Sequence, residues 1–297
     1  MSLSPAASAN RHGILCMIGA MASFVSNDAL VKFASQSMPG AQLIFVRGAM
    51  AVVLVLAVAH ALGVTTRVAE VTRGWAAGRA VVDAVATMLY LGSLFHLPIG
   101  NAMAINLAAP LFMAVFAAMF MGERVRGARW LPIATGFMGV LLVIQPRAEG
   151  FNSYALVCLL GTLFHAARDL MTRRIDAGIP SILITLATAV AVTVLAGVLS
   201  LVQGWQPFGL FEFSLLALAS VFLAAGYYLI ISSMRHGEMT LVAPFRYSGL
   251  LFALVLGYAV WGDVPNTLAW SGIALLIASG LYVLHSERRR SGASAGS

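Results

Sequence analysis

Ten apolar segments, each roughly 18–24 residues long and so about the length needed to cross ~30 Å of hydrocarbon, follow one another along this chain. They lie near residues 13–34, 41–62, 74–95, 99–121, 129–146, 153–172, 180–203, 212–233, 239–261 and 267–285. At that length the α-helix is the structure that satisfies its own backbone polar groups in lipid, since a barrel strand needs only about ten residues. Composition agrees. The chain is 60% hydrophobic and 10% charged, against roughly 25% charged in soluble domains, and its mean hydropathy is +0.91. A water-soluble fold with so little charge would leave large apolar areas facing water. The fold class expected is all-α integral membrane, with ten transmembrane helices and the lipid bilayer as a partner. Pro39-Gly40, Pro98, Pro146, Pro180, Pro207 and Pro265 fall at or near the junctions between segments, as turn chemistry requires.

The net charge of +7 would suggest nucleic acid in a soluble protein. Here the basic residues sit in short connections between apolar runs, so no nucleic-acid partner is expected. With the N-terminus placed inside, the inner connections hold Arg11, Arg67, Arg73, Arg124, Arg126, Arg129, Arg173, Arg174, Arg235 and Arg288 to Arg290, against Arg147 outside. Both termini are therefore expected in the cytoplasm. Trp75, Trp130, Trp205, Trp261 and Trp270 all fall at expected interfaces. Arg11, the apolar run from Gly13 and Ala20-Met21-Ala22 imitate a signal peptide, but the apolar segment continues past that point. Cys16 and Cys158 read as small buried hydrophobes, and no metal site or disulfide framework can be built from them.

Shifting the chain on itself by 140 residues superposes Trp130 on Trp270, Phe112 on Phe252, His96 on His236 and Gly122-Glu123 on Gly262-Asp263. A shift of 141 superposes Asp28 on Asp169, Lys32 on Arg173 and Pro39 on Pro180. The expected organisation is a cytoplasmic tail at 1–12, a first five-helix repeat at 13–146, a second at 153–285, and a cytoplasmic tail at 286–297. Five is odd, so the second copy enters the membrane from the opposite side. Inverted repeats are a transporter architecture, because exchanging the conformations of two copies exposes a site to either face.

The run from Asn106 through Pro110 to Gly122-Glu123-Arg124 resembles the fourth helix of the EamA family, in the drug/metabolite transporter superfamily. Gly136 and Gly139 in the fifth span and Arg47 in the second continue the resemblance, which covers essentially the whole chain. It implies a ten-helix bundle with a central cavity that carries small solutes such as amino acids, vitamins or nucleotide-like metabolites. In the second copy Pro244-Phe245-Arg246-Tyr247 and Trp261-Gly262-Asp263 stand where the family usually has its proline and Gly-Glu. That form is similar to the branch with S-adenosylmethionine and riboflavin transporters. With arginine supplying 17 of 18 basic residues, a GC-rich coding bias, the implied location is a bacterial inner membrane.

Ionisable groups within membrane helices cost a few kcal/mol or more and mark a pathway or a pair. Asp28 and Arg47 lie at similar distances from the Pro39-Gly40 turn and are expected to meet across it, with Lys32 either joining them or snorkelling outward. A structural ion pair and a gate are both open readings. Toward the inner side stand Arg79 and Asp83, Arg168 and Asp169, and Arg246; Arg79 and Arg168 are expected to snorkel to the headgroups. Arg246 lies about 11 Å inside its span, and its repeat mate is Asn106. A guanidinium at that depth suits a carboxylate, a phosphate or a planar polar ring, or a pairing with Asp83 or Asp169. His165, nearest the midplane, is a structural histidine or a proton or substrate site. Phe24, Tyr90, Phe112, Phe164, Tyr227, Tyr228 and Tyr247 are aromatic candidates for stacking on a planar ligand, with ordinary helix packing the expectation for most of them. No His-Glu-x-x-His or Gly-x-x-x-x-Gly-Lys motif is present, nor a selectivity filter. A carrier is thus favoured over a membrane enzyme or a channel, working on a small-molecule substrate with a proton or counter-substrate and no cofactor; direction of transport and oligomeric state are unread.

Overall fold

The computed structural model describes residues 5–120, 130–145, 152–172, 174–236 and 242–294. Among them every regular element is helical: α1 Pro5–Ala34, α2 Gly40–Ala61, α3 Gly74–Leu94, α4 Ile99–Asn106, α5 Ala109–Phe120, α6 Trp130–Ile144, α7 Tyr154–Thr172, α8 Ser181–Gln203, α9 Leu210–His236, α10 Ser248–Trp261 and α11 Thr267–Ser294. Two 3-10 turns, Thr65–Val71 and Ala243–Tyr247, complete the set. Six described helices are long and apolar enough to cross a membrane, and shorter apolar helices cover Ile99–Met113, Leu131–Ile144 and Thr267–Tyr282. The protein is a multi-pass, all-helical membrane protein. Gly122, Glu123, Arg124, Arg126, Arg129, Arg147 and Arg173, which the orientation and repeat arguments use, lie outside the described residues, as do the side chains of Trp130, Arg235, His236 and Arg288 to Arg290.

Helix ends follow local chemistry. Pro39, Pro98 and Pro180 each precede a helix with φ near −60° and ψ near 130°, the conformation the pyrrolidine ring prefers and one that starts a helix without wasting an amide. Pro39 and Pro180 are repeat mates, so the same cap opens α2 and α8. At the other end, Gly262 stops α10 with φ 71°. Gly262 N donates to Tyr258 O (2.9 Å) and Asp263 N to Gly257 O (3.1 Å), which satisfies two terminal carbonyls. α1 begins at Pro5 and α11 runs to Ser294, beyond the apolar stretches, because the hydrogen-bond ladder does not end where hydrocarbon does.

The chain forms two compact units, whose boundaries fall within α1 and α9. Unit 1 holds Met1–Val25, Pro98–Ser153 and Ala225–Ser297; unit 2 holds Ser26–Leu97 and Tyr154–Ala224.

In unit 2, α2 packs on α8, and α3 on both α7 and α8. The α2–α8 pair runs antiparallel: Gly48 faces Thr193, Phe45 faces Gly197, and Ala41 N donates to Gln203 Oε1 (3.0 Å). Gln42, fully buried, clamps the peptide at Gln206 with one bond to its carbonyl (2.8 Å) and one from its amide (2.9 Å). The Thr65–Val71 turn buries Val71 with Ala59, Ala76 and Leu183. Its exposed Arg67 holds Glu70 (2.7 and 2.9 Å) and Gly178 O (2.9 Å); that hydrogen bond lowers the Glu70 carboxyl below its ordinary range.

In unit 1 the closest pair is α6 with α11. A Cβ on Gly139 would stand 2.7 Å from Gly272 O, and one on Gly272 would stand 2.5 Å from Gly139 O. Two backbones touch there, which glycine alone permits. Thr135 and Ser279 hydroxyls join a few residues along at 2.9 Å, so this pair is antiparallel too.

Because the obstacle at each glycine is a carbonyl rather than a mobile side chain, overpacking cannot be relieved by a rotamer change. Gly139→Val and Gly272→Val should each destabilise the protein by about 1–3 kcal/mol, read as a lowered unfolding midpoint in detergent. A parental midpoint in both variants would refute the close crossing.

Candidate functional site

Two helices that apolar length alone predicts to be continuous are broken. In the first, Pro110 has no N–H to give to Asn106 O. Ala108 N turns to Ile105 O (3.0 Å) and Leu111 N to Ala108 O (2.9 Å), so α4 ends and α5 starts afresh at Ala109. In the second, Ala243–Tyr247 winds as a 3-10 turn with Pro244 near its start, and α10 begins at Ser248. The interruptions, at 107–108 and 243–247, overlap when the chain is shifted by the repeat offset of 140, which sets Leu107 on Tyr247. Interrupted helices at matching positions of two copies are a pointer to a binding site, since they leave polar backbone where lipid would not tolerate it.

Both breaks belong to unit 1, where α4 packs on α10. Ile99 stands against Gly257, Gly100 against Leu254 and Met103 against Gly249, so the pair runs antiparallel. One further turn of this register leads to Asn106 at the end of α4 and to Arg246 in the turn that precedes α10. Arg246 is half-buried, and its guanidinium makes no hydrogen bond or ion pair among the described residues. The Tyr247 ring runs instead to α11, where its buried hydroxyl meets Gly280 without a hydrogen-bond partner among the described residues. Phe112 packs edge-on to Phe137 (centroids 4.9 Å) and Tyr227 edge-on to Phe24 (5.4 Å). Those two aromatic candidates thus have ring partners within unit 1.

The remaining candidates all lie in unit 2, in two charged clusters. In one, Arg47 Nη1 donates to Asn27 Oδ1 (3.0 Å), Asn27 Nδ2 donates to Asp28 Oδ1 (2.9 Å), and Tyr90 OH donates to Asp28 Oδ2 (3.1 Å). Asp28 and Arg47 are therefore joined through Asn27 rather than by direct contact. Buried Lys32 donates to Leu97 O, at the end of the α3 connection, rather than reaching outward. His165, buried on α7, packs its ring on Tyr90 at 5.8 Å.

In the other cluster, Arg168 Nη1 donates to Asp83 Oδ1 (2.7 Å), and the same guanidinium holds Asp169 Oδ1 through Nε (2.9 Å) and Nη2 (2.8 Å). Arg79 approaches Asp83 Oδ2 (3.6 Å) and donates to Thr172 Oγ1 and Thr188 Oγ1, both at 2.8 Å. The expectation that Arg79 and Arg168 snorkel to headgroups gives way here to pairing. Asp83, with 4% of its side chain exposed, would be a costly lone charge, and two guanidinium groups relieve it. Two arginines and two aspartates leave the cluster neutral. Asn27, Thr172 and Thr188 were missed from sequence; the polar pair Asn27-Asp28 inside an apolar run was the available signal.

Residues 11–145 and 152–284 each match the EamA-like transporter family. The pseudopaline exporter of Pseudomonas aeruginosa (strain UCBPP-PA14) is 28% identical over 271 residues, 91% of this chain and 94% of that protein. The riboflavin transporter of Vibrio cholerae serotype O1 is 25% identical over 282 residues, 94% of this chain and 95% of its own length. A solved crystal structure with 20% identity aligns with a TM-score of 0.62 over 96% of this chain and 99% of that one, which is a likeness of fold.

Asn27 links a buried cation to a carboxylate, so Asn27→Leu should remove two charge-assisted hydrogen bonds, each worth roughly 1.5–3 kcal/mol. Thermal unfolding should show a larger loss for Asn27→Leu than for Asn27→Asp, which keeps the acceptor for Arg47. Equal midpoints for parent and Asn27→Leu would dismiss the bridge.

Proposed function

The chain belongs to the EamA-like transporter family, and from that membership we propose a secondary carrier that moves a small polar or aromatic metabolite across a bacterial inner membrane by alternating access. The observation that carries the mechanism is the pair of helix breaks at 107–108 and 243–247, which overlap at the repeat offset, with Asn106 beside the first and Arg246 within the second. Counting α4 with α5 as one span, and the Ala243–Tyr247 turn with α10 as another, gives ten. The arginine asymmetry favours both termini in the cytoplasm. Two inverted copies, bounded near 13–146 and 153–285, are supported by the family's double match and by the antiparallel packing of α2 on α8, α4 on α10 and α6 on α11. A copy repeated without inversion would set such mates parallel.

Arg246 is the charged contact to substrate in this reading. Its forked donors suit a carboxylate, a phosphate or a planar polar ring, and Asn106 adds a neutral donor and acceptor from the mate position. Tyr247 backs Arg246 through its packing on α11, with Phe112 and Tyr227 as apolar lining of the same unit. The two clusters of unit 2 act as gates: Asp28, Lys32 and Arg47 in one, Arg79, Asp83 and Asp169 in the other. Tyr90 and His165 connect them, and a proton or counter-substrate drives the cycle. Kinship with both a named exporter and a named riboflavin transporter suits helices that serve either direction.

A thermal-shift screen of amino acids, flavins, nucleosides and their conjugates should find a stabilising ligand. Arg246→Ala should then weaken its binding by about ten- to hundredfold, the worth of a charged hydrogen bond. Arg246→Lys should be nearly as harmful, since an ammonium cannot reproduce the fork. An alanine variant that elutes as the parent does on gel filtration and binds as tightly would make Arg246 structural.

A further inference from the structure

Where α4 begins and α10 ends, unit 1 contains a cavity of about 180 Å³ that the Arg246 reading does not use. Its polar lining is Asn101, Gln145, Asp263 and Asn266, and Leu254 and Ala269 add apolar wall. One side is rigid. Gln145 and Asn266 exchange carboxamide hydrogen bonds (2.8 and 3.1 Å), and Asn266 Oδ1 also accepts Ala269 N (2.8 Å) at the start of α11. Gln145 holds φ 48°, the one non-glycine residue with positive φ among those described. Strain of that kind persists where surroundings over-determine it, and it clusters at ligand clamps.

Against this satisfied wall stand two partly exposed side chains, those of Asn101 and Asp263, which make no hydrogen bond or ion pair among the described residues. The backbone of Asp263 is spent on the Gly262 turn, through its amide bond to Gly257 O (3.1 Å), which leaves the carboxylate for the cavity.

The charge decides the class of occupant. The lining carries one formal charge, a carboxylate, so an anion is excluded. A calcium- or magnesium-like ion wants about six oxygen ligands, and no group of three His, Cys, Asp or Glu that could hold a metal exists among the described residues. The volume is far above the roughly 10–15 Å³ that one water requires, which suits an organic body behind the charged head. We propose that this cavity is a second solute site, one that takes a protonated amine. Its ammonium donates to the Asp263 carboxylate and to Asn101 Oδ1, and its carbon skeleton lies over Leu254 and Ala269.

This site is separate from Arg246. The helical run from Arg246 to Trp261 covers about 22 Å at 1.5 Å per residue, too far for one amino-acid-sized molecule to touch both ends. The two sites also prefer opposite charges, so a zwitterion would meet its cation-seeking contact and its anion-seeking contact in turn.

The proposal stands without the Arg246 reading, and its test needs no knowledge of the transported solute. Thermal unfolding of the purified full-length chain is followed in ethylammonium chloride and in sodium chloride at matched ionic strength. Ethylammonium should raise the midpoint where sodium does not. Asp263→Asn should abolish that rise, Asn101→Leu should weaken the apparent affinity by about tenfold, and Arg246→Ala should leave it intact. No rise with ethylammonium, an equal rise with sodium, or a full response in Asp263→Asn would each overturn the assignment. If Asp263→Asn alone lowers the ligand-free midpoint, Asp263→Glu decides: a retained amine response supports the site, and a lost one rejects it.

Discussion

Hydrogen-bond closure of the backbone is the constraint on which this structure depends. In hydrocarbon each unmet peptide group costs several kcal/mol, so a membrane helix should run unbroken from face to face. α2 and α8 do so. The interruptions at 107–108 and 243–247 violate that constraint, each with a proline at hand, Pro110 for the first and Pro244 for the second. A lone break is explicable as tolerated damage. A pair that overlaps at the repeat offset is better explained by what exposed backbone can do for a polar solute.

Charge is managed by a different rule in unit 2. The cluster on Asp83 balances two arginines against two aspartates, with Thr172 and Thr188 taking the remaining donors of Arg79. Asp28 is treated otherwise: its direct partners are a phenol and a carboxamide, and Arg47 acts through Asn27. Direct ion pairs in low dielectric are rigid because separating them exposes both charges. A relay through neutral groups can be rearranged with less uncompensated charge at any moment. The two clusters therefore differ in how readily they part, which is a property gates on one cycle can use.

Much of this was legible from the amino acids. Apolar runs placed the helices to within a few residues, since burial in lipid follows length and hydropathy. Pro39, Pro98 and Pro180 marked three helix starts because ring geometry fixes φ regardless of tertiary context. What hydropathy could not see was hydrogen bonding. The second break falls in a run of mean hydropathy 1.2, below the 2.3 of α2 and 2.5 of α8, and the missing N–H groups of Pro110 and Pro244 are the residue-level hints. Arg168 was assigned to headgroups because its partner Asp83 lies 85 residues away in sequence, a distance that helix periodicity does not bridge. Asn101 and Gln145 carried no signal at all, since an unpaired carboxamide becomes informative only when a cavity stands beside it.

The mate positions Asn106 and Arg246 carry one further consequence. When repeat mates pack antiparallel, the register has a centre at which a residue meets its own mate. Contacts of Ile99 with Gly257, Gly100 with Leu254 and Met103 with Gly249 carry that centre to Asn106 and Arg246. Had duplication kept arginine in both copies, two guanidinium groups would face each other. At about 5 Å and an effective dielectric of about 20, their repulsion would be roughly 3 kcal/mol. In the proposed reading, one arginine opposite one asparagine keeps a fork for an anionic group, adds a neutral donor, and removes the self-repulsion. Sequence symmetry must fail at the symmetry centre of a charged site. In a duplicated carrier, therefore, the position where the two copies disagree is more informative about the solute than the many positions where they match.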